Sequence, residues 1–184
     1  MKELSLNILD ITENSVKAKA TLTEIYIKED DKTLTLVIRD DGCGMSEETL
    51  NAVTNPFYTT RTTRKVGLGI PLLKLACEQT GGKLDIRSKA KTDTSTDHGT
   101  EVRAIFNKNH LDFTPLGDVI STLVTLIQGH PDVDFLFIHT TDLYEVRLDT
   151  RELRTVLEGV PLNSFEVLEW IRGYLEEQYT NDFK

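Results

Sequence analysis

Apolar residues recur at helical spacing from the first turn of the chain. Leu4, Ile8, Ile11 and Ser15 fall on one stripe between Glu3 and Ala18, with Leu6 and Leu9 widening it, which predicts an amphipathic helix buried on one side. The period then changes to two. In TEIYIKEDDKTLTLVIRDDG, apolar and polar residues alternate on both sides of the acidic stretch Glu29 to Lys32, predicting two antiparallel strands joined by a short turn, the second ending at Asp40. SEETLNAV opens with Ser46 ahead of Glu48 and Thr49, a capping pattern that predicts a short helix before the Asn55-Pro56 break. A further helix runs from Pro71 to Thr80, stopped by Gly81-Gly82. KLDIRSK and GTEVRAIF read as strands, joined through the polar AKTDTSTDH as a solvated hairpin loop.

The stretch NKNHLDFTPLG gathers Asn, Pro and Gly and reads as the end of a first domain, residues 1–108. A new pattern follows. A helix from Leu116, strands around VDFLFIHT and LYEVRLD, and helices from Thr150 and Ser164 predict a small α+β domain over residues 112–184. In its last helix Phe165, Leu168, Ile171 and Leu175 recur at spacings of three and four, with Trp170 at the stripe's edge, so core packing is the expected role of its aromatic residues. The fold class is α+β: a two-layer α/β sandwich followed by a small unit with a regulatory or partner-binding role.

Charge narrows the choice of partner. The 184 residues carry 30 acidic and 21 basic side chains, a net charge of −9, which argues against a chain that grips a phosphate backbone and so against nucleic acid. The only cysteines, Cys43 and Cys77, have no metal-ligand spacing and read as free thiols of a reducing compartment. No apolar run approaches the roughly 18 residues needed to cross a bilayer. The expectation is a cytoplasmic protein with no membrane partner.

Four clusters can carry chemistry. Asp10 and Asn14, four apart, project from one helix face; a carboxylate able to take a proton beside a carboxamide oxygen suits Mg²⁺ held largely by phosphate and water. Asp40 opens DDGCG, where Gly42 and Gly44 allow a sharp turn and close backbone approach; its carboxylate can accept from an exocyclic amine. Between the glycines of DDGCG and those of VGLGIP lies a segment rich in Thr and Arg, of which Thr59, Thr60, Arg61, Arg64 and Lys65 suit phosphate oxygens. Gly67 and Gly69, with Leu68 and Ile70, lead into the helix at Pro71, whose amino-terminal amides suit phosphate. Gly99-Thr100 opens a strand after the hairpin loop.

In this order the pieces resemble the Bergerat-fold ATP-binding domain of the GHKL superfamily, which includes gyrase, the large heat-shock chaperone, histidine kinases and MutL. The resemblance covers Leu4 to Phe106. LDITENSVKAKAT is similar to the N box, which implies that Asn14 holds Mg²⁺ and that Asp10 stands where MutL-type members have the Glu that activates water. DDGCGM resembles the G1 box, implying Asp40 as the adenine acceptor with Gly42 and Gly44 as close-approach glycines. NPFYTTR is similar to the F box and VGLGIPLLK to the G2 box of histidine kinases, and GTEVRAIF to the final strand, with Thr100 near Asp40 beside the adenine. The resemblance makes Ser46 to Val66 the ATP lid and implies ATP and Mg²⁺ as ligands.

Two departures shape the functional expectation. Asp10 is one methylene shorter than Glu, which moves a general base away from its water and points to slow hydrolysis. Lys65 and Val66 precede GLG where histidine kinases often have glycine, which implies a stiffer lid and an added phosphate contact from Lys65. The expectation is a stand-alone domain without a phosphoacceptor-His hairpin: His98, His110, His130 and His139 have no H-box setting, and His98 reads as a solvated loop residue. The resemblance then implies a protein kinase acting in trans on a protein partner, in the manner of a histidine kinase or an anti-sigma-factor kinase. The alternatives are a slow ATPase or ATP-sensing switch that controls a partner, and a fold that has lost its nucleotide. A homodimer is compatible with either of the first two.

Overall fold

The computed structural model describes residues 3–53, 68–92 and 97–181. Helix α1 (Leu4–Lys17) opens the chain, followed by β1 (Leu22–Glu29), β2 (Thr33–Asp40), α2 (Glu47–Ala52), α3 (Gly69–Gln79), β3 (Lys83–Lys89) and β4 (Gly99–Asn107). Then come α4 (Val119–Gly129), β5 (Asp134–Thr140), β6 (Glu145–Asp149), α5 (Thr150–Leu157) and α6 (Phe165–Asn181). The six strands form one sheet in the order β3-β4-β2-β1-β5-β6. Helices α1, α3, α4 and α6 contact one another or the strands beneath them, so a sheet layer packs on a helix layer.

Period-two patterning decides which face is covered. Thr23, Ile25 and Ile27 of β1, Leu34, Leu36 and Ile38 of β2, and Val102, Ala104 and Phe106 of β4 are buried in alternation, and all but Thr23 join Leu4, Ile8, Ile11 and Leu73 in one core. In α1 the stripe Leu4, Ile8, Ile11, Ser15 is buried. Leu6, expected to widen it, is 43% exposed, because a residue two positions past Leu4 points across the helix.

The sheet does not stop at the junction expected near residues 108–112. β5 lies parallel to β1, pairing Leu22 with Asp134 through Lys28 with Thr140, and β6 then adds antiparallel to β5. The connector also reaches back to the amino terminus: the amides of Leu4 and Ser5 donate to the carbonyls of Pro115 and Leu116. These bonds satisfy two of the orphan donors of α1, which has no side-chain cap at Glu3. Core residues of the two segments form a single cluster. Asn, Pro and Gly thus mark a turn that feeds the same sheet, with α4 beginning at its Asp118 cap rather than at Leu116.

Two further details differ from the sequence pattern. In α6 the buried positions are Val167, Leu168, Ile171 and Leu175, while Phe165 is 74% exposed and Trp170 stacks on the half-exposed Tyr174. Phe165 is the first residue of α6. On the outer edge of the sheet, the Gln178 carboxamide accepts from the Arg147 amide at 2.9 Å and donates to its carbonyl at 3.1 Å. A side chain from α6 thereby occupies hydrogen-bonding groups that an edge strand would otherwise offer to another chain.

Candidate functional site

The strand ends, α1 and the start of α3 converge on one end of the sheet. Asp40 terminates β2, where its partner across the ladder is Thr100 of β4. Both share the parity of the buried residues of their strands and so face the helix layer. The Asp40 carboxylate is oriented twice over: Oδ1 accepts from the Gly42 amide at 2.9 Å and Oδ2 from the Ser15 hydroxyl at 2.7 Å. Ser15 is one residue beyond Asn14 on α1, so the same helix that carries Asn14 locks the acid.

The glycines explain how closely the chain segments approach. A Cβ on Gly42 would lie 2.9 Å from the Ala18 Cβ and 3.0 Å from Asp40 Oδ1. Gly44 has φ +64, and a Cβ there would lie 1.9 Å from the Lys89 carbonyl oxygen, so both space and conformation require glycine. Asp41 anchors the turn from the other side, its Oδ1 accepting from the amides of Thr21 and Leu22. Burial pushes its pKa up, but the hydrogen bonds from Leu22 and Thr21 outweigh burial and hold it below the ordinary carboxylate range.

Asp10 and Asn14 are both exposed on α1, and Gly69, the first residue of α3, backs onto them. A Cβ added to Gly69 would stand 3.2 Å from the Asp10 Cβ and 3.8 Å from Asn14 Nδ2. Leu68, the residue preceding α3, is 44% exposed, whereas Ile70 is 8% exposed and belongs to the core. Ile70 therefore meets a ligand through its backbone if at all. Thr59, Thr60, Arg61, Arg64, Lys65 and Gly67 lie outside the described residues.

Three residues enter the site without having been singled out for it in the sequence. Ser15 was legible only as part of the buried stripe. His98, expected as a solvated loop residue, is half-buried with Nδ1 2.7 Å from the Gly42 carbonyl oxygen; a carbonyl only accepts, so Nδ1 carries the proton. Ser88 of β3 contacts Met45, Gly99 and Thr100. No local pattern marks these residues, because strand register and loop return bring them there.

The arrangement offers an acceptor set at the strand ends and, a helix turn away, an exposed carboxylate and carboxamide under a glycine. Among the described residues no group of three or more His, Cys, Asp or Glu side chains could hold a metal ion. A cation beside Asp10 and Asn14 would take most of its oxygens from ligand and water, which is the habit of Mg²⁺. Among the described residues no helix is long and apolar enough to cross a membrane.

An α/β sandwich whose central strand ends in an Asp-Gly turn, beneath a helix bearing Asp and Asn, defines a GHKL-type ATPase domain. Residues 2–110 match the family described as histidine kinase-, DNA gyrase B-, and HSP90-like ATPase, and the chain belongs to that family. Among curated proteins it is 30% identical over 89 residues to the C4-dicarboxylate transport sensor protein DctB of Pseudomonas aeruginosa, covering 47% of this chain and 14% of that protein. It is 28% identical over 109 residues to a putative sensor protein of Shewanella frigidimarina, covering 57% of this chain and 16% of that one. The chain thus corresponds to a small part of either relative. Among solved structures, the Aquifex aeolicus MutL ATPase domain complexed with ADP superimposes over 94% of this chain and 88% of its own, with a TM-score of 0.55 at 14% identity. The N-terminal domain of a DNA repair protein covers 81% of this chain and 53% of its own, with a TM-score of 0.53 at 17% identity. These likenesses establish a shared fold.

Proposed function

We propose that the chain binds ATP with Mg²⁺ and acts as a protein kinase in trans, passing the γ-phosphoryl group to a partner protein. The observation that carries the nucleotide reading is the bond from Ser15 to Asp40 at 2.7 Å, which joins the Asp40 acceptor set to the helix that bears Asp10 and Asn14. Asp40 would accept from the exocyclic amine of adenine, with Thr100 beside it and Gly42 and Gly44 admitting the base edge. Asn14 would supply an oxygen toward Mg²⁺, which when bound neutralises phosphate charge. Asp10 would orient the acceptor group of the partner. Thr59, Thr60, Arg61 and Lys65 would supply donors to the phosphate oxygens, and the backbone at Gly67, Leu68, Gly69 and Ile70 would complete the cradle.

The kinase reading is supported by the sensor proteins among the relatives and by Asp10, whose short side chain is poorly placed to activate water. A second reading, a slow ATPase or an ATP-sensing switch, is supported by the fold shared with a MutL ATPase domain over nearly the whole chain, residues beyond 110 included. In that reading the segment after β4 changes its partner as nucleotide binds.

Incubation with γ-labelled ATP and Mg²⁺, alone and with purified candidate partners, separates the two. Label on a partner, lost in Asn14→Ala, is expected for a trans kinase. Free phosphate at a slow steady rate with no labelled protein favours the second reading, and the absence of any Mg²⁺-dependent ATP binding would overturn both.

A further inference from the structure

Ser88 stands at the middle of a short hydroxyl chain beside Asp40. Its Oγ is 2.8 Å from the Met45 amide nitrogen, 3.0 Å from the Gly99 carbonyl oxygen and 2.8 Å from Thr100 Oγ1. The amide can only donate and the carbonyl can only accept, while a serine hydroxyl has one proton and two lone pairs. A single assignment satisfies all three contacts. Ser88 accepts from Met45, gives its own proton to Gly99, and accepts the Thr100 proton on its second lone pair. Thr100 is then left with lone pairs alone.

That assignment fixes the polarity of the surface Thr100 shares with Asp40, its partner across the β2–β4 ladder. Asp40 already accepts from Gly42 and Ser15 and is an acceptor on both oxygens. The pair therefore presents acceptors only. At the exocyclic position a 6-amino purine meets this edge with two N–H donors, whereas a 6-oxo purine meets it there acceptor to acceptor and has only its N1–H left to offer.

Resting on the nucleotide reading above, we propose that Ser88 is a positioning residue that sets base specificity: by holding the Thr100 proton it selects 6-amino over 6-oxo purine triphosphates. Removing the Ser88 hydroxyl frees the Thr100 proton to turn toward the ligand and donate to an oxo group. The other role of Ser88, tying Met45 and Gly99 together, affects every nucleotide alike. The ratio of affinities separates the two roles.

The test is to measure dissociation constants for ATP and inosine triphosphate, each with Mg²⁺, on the wild-type chain, Ser88→Ala and Ser88→Thr. The wild type is expected to favour ATP. In Ser88→Ala the ATP preference should shrink by about tenfold, the worth of roughly one hydrogen bond. Ser88→Thr keeps the hydroxyl on a strand that favours β-branched residues and should retain the preference. If Ser88→Ala weakens both nucleotides in parallel and leaves the ratio unchanged, the specificity role is overturned while the nucleotide reading stands. A wild type that binds neither nucleotide overturns that reading and this inference together.

Discussion

The Ser15 hydroxyl donates to Asp40 Oδ2 across 2.7 Å although 25 positions separate the two residues. The bond is local chemistry with a long reach, since it fixes the rotation of α1 about its axis relative to the end of β2. Asn14 and Asp10 are oriented by that same rotation. A ligand that touches both Asp40 and Asn14 therefore meets a site whose halves are already aligned.

Ser15→Ala should weaken ATP binding more than it lowers stability. The variant leaves Asp40 with one oriented donor, Gly42, and frees the carboxylate to turn. The expected loss is about tenfold in ATP affinity, corresponding to about 1.4 kcal/mol, read by calorimetric titration. Thermal melting without nucleotide should move by no more than a few degrees. Unchanged affinity would show that Gly42 alone orients Asp40.

Gly69 and Gly44 should respond oppositely to alanine. Gly69 is helical with ordinary φ, so Gly69→Ala costs little in backbone, yet its methyl sits 3.2 Å from the Asp10 Cβ and near Asn14 Nδ2. Melting temperature should hold while Mg²⁺-dependent ATP binding falls several-fold. Gly44→Ala combines φ +64 with a carbonyl oxygen 1.9 Å from the new carbon and should cost more than about 2 kcal/mol in stability. Paired denaturation curves and titrations check both, and a destabilised Gly69→Ala with normal binding would contradict the placement of that glycine beside a ligand.

What the sequence discloses here depends on the range of the interaction. The period of Leu4, Ile8, Ile11 and Ser15, the alternation through β1 and β2, and the DDGCG turn are set by neighbours within a few positions, so they are readable before any fold is known. The parallel pairing of β1 with β5 joins residues more than a hundred positions apart, and nothing local in VDFLFIHT names its partner. The same limit hides Ser88 and His98, single polar residues given their neighbours by register. It also hides the continuation of the sheet past residue 108, because Asn, Pro and Gly report a turn and not which sheet the next strand joins.

The far end of β1 carries a second polar network, built around the buried His139 and remote from Asp40. His139, 2% exposed, has Nε2 3.0 Å from Glu29 Oε1 and Nδ1 2.8 Å from the Tyr179 hydroxyl, and Lys108 Nζ lies 2.8 Å from Glu29 Oε2. Glu29 only accepts, so Nε2 bears a proton, and Nδ1 shares a hydrogen bond with the Tyr179 hydroxyl. The network links α6, β5, β1 and the end of β4, and burial raises the Tyr179 pKa so that its proton is retained. The hydrogen bond from His139 lowers the Glu29 pKa, burial opposes this, and Lys108 adds to the lowering. A carboxylate with a depressed folded-state pKa contributes stability that is present above its unfolded value, near 4.5, and is lost as pH falls through the folded one. Glu29→Gln should therefore melt below the wild type at pH 7, by about 2–6 °C for a loss of about 1–2 kcal/mol. The gap should close as pH falls below the unfolded value, where the wild-type carboxyl is itself becoming protonated. Melting curves from pH 7 to pH 3 decide it, and a gap of constant size across that range would mean that the Glu29 charge contributes nothing to the link between α6 and the sheet.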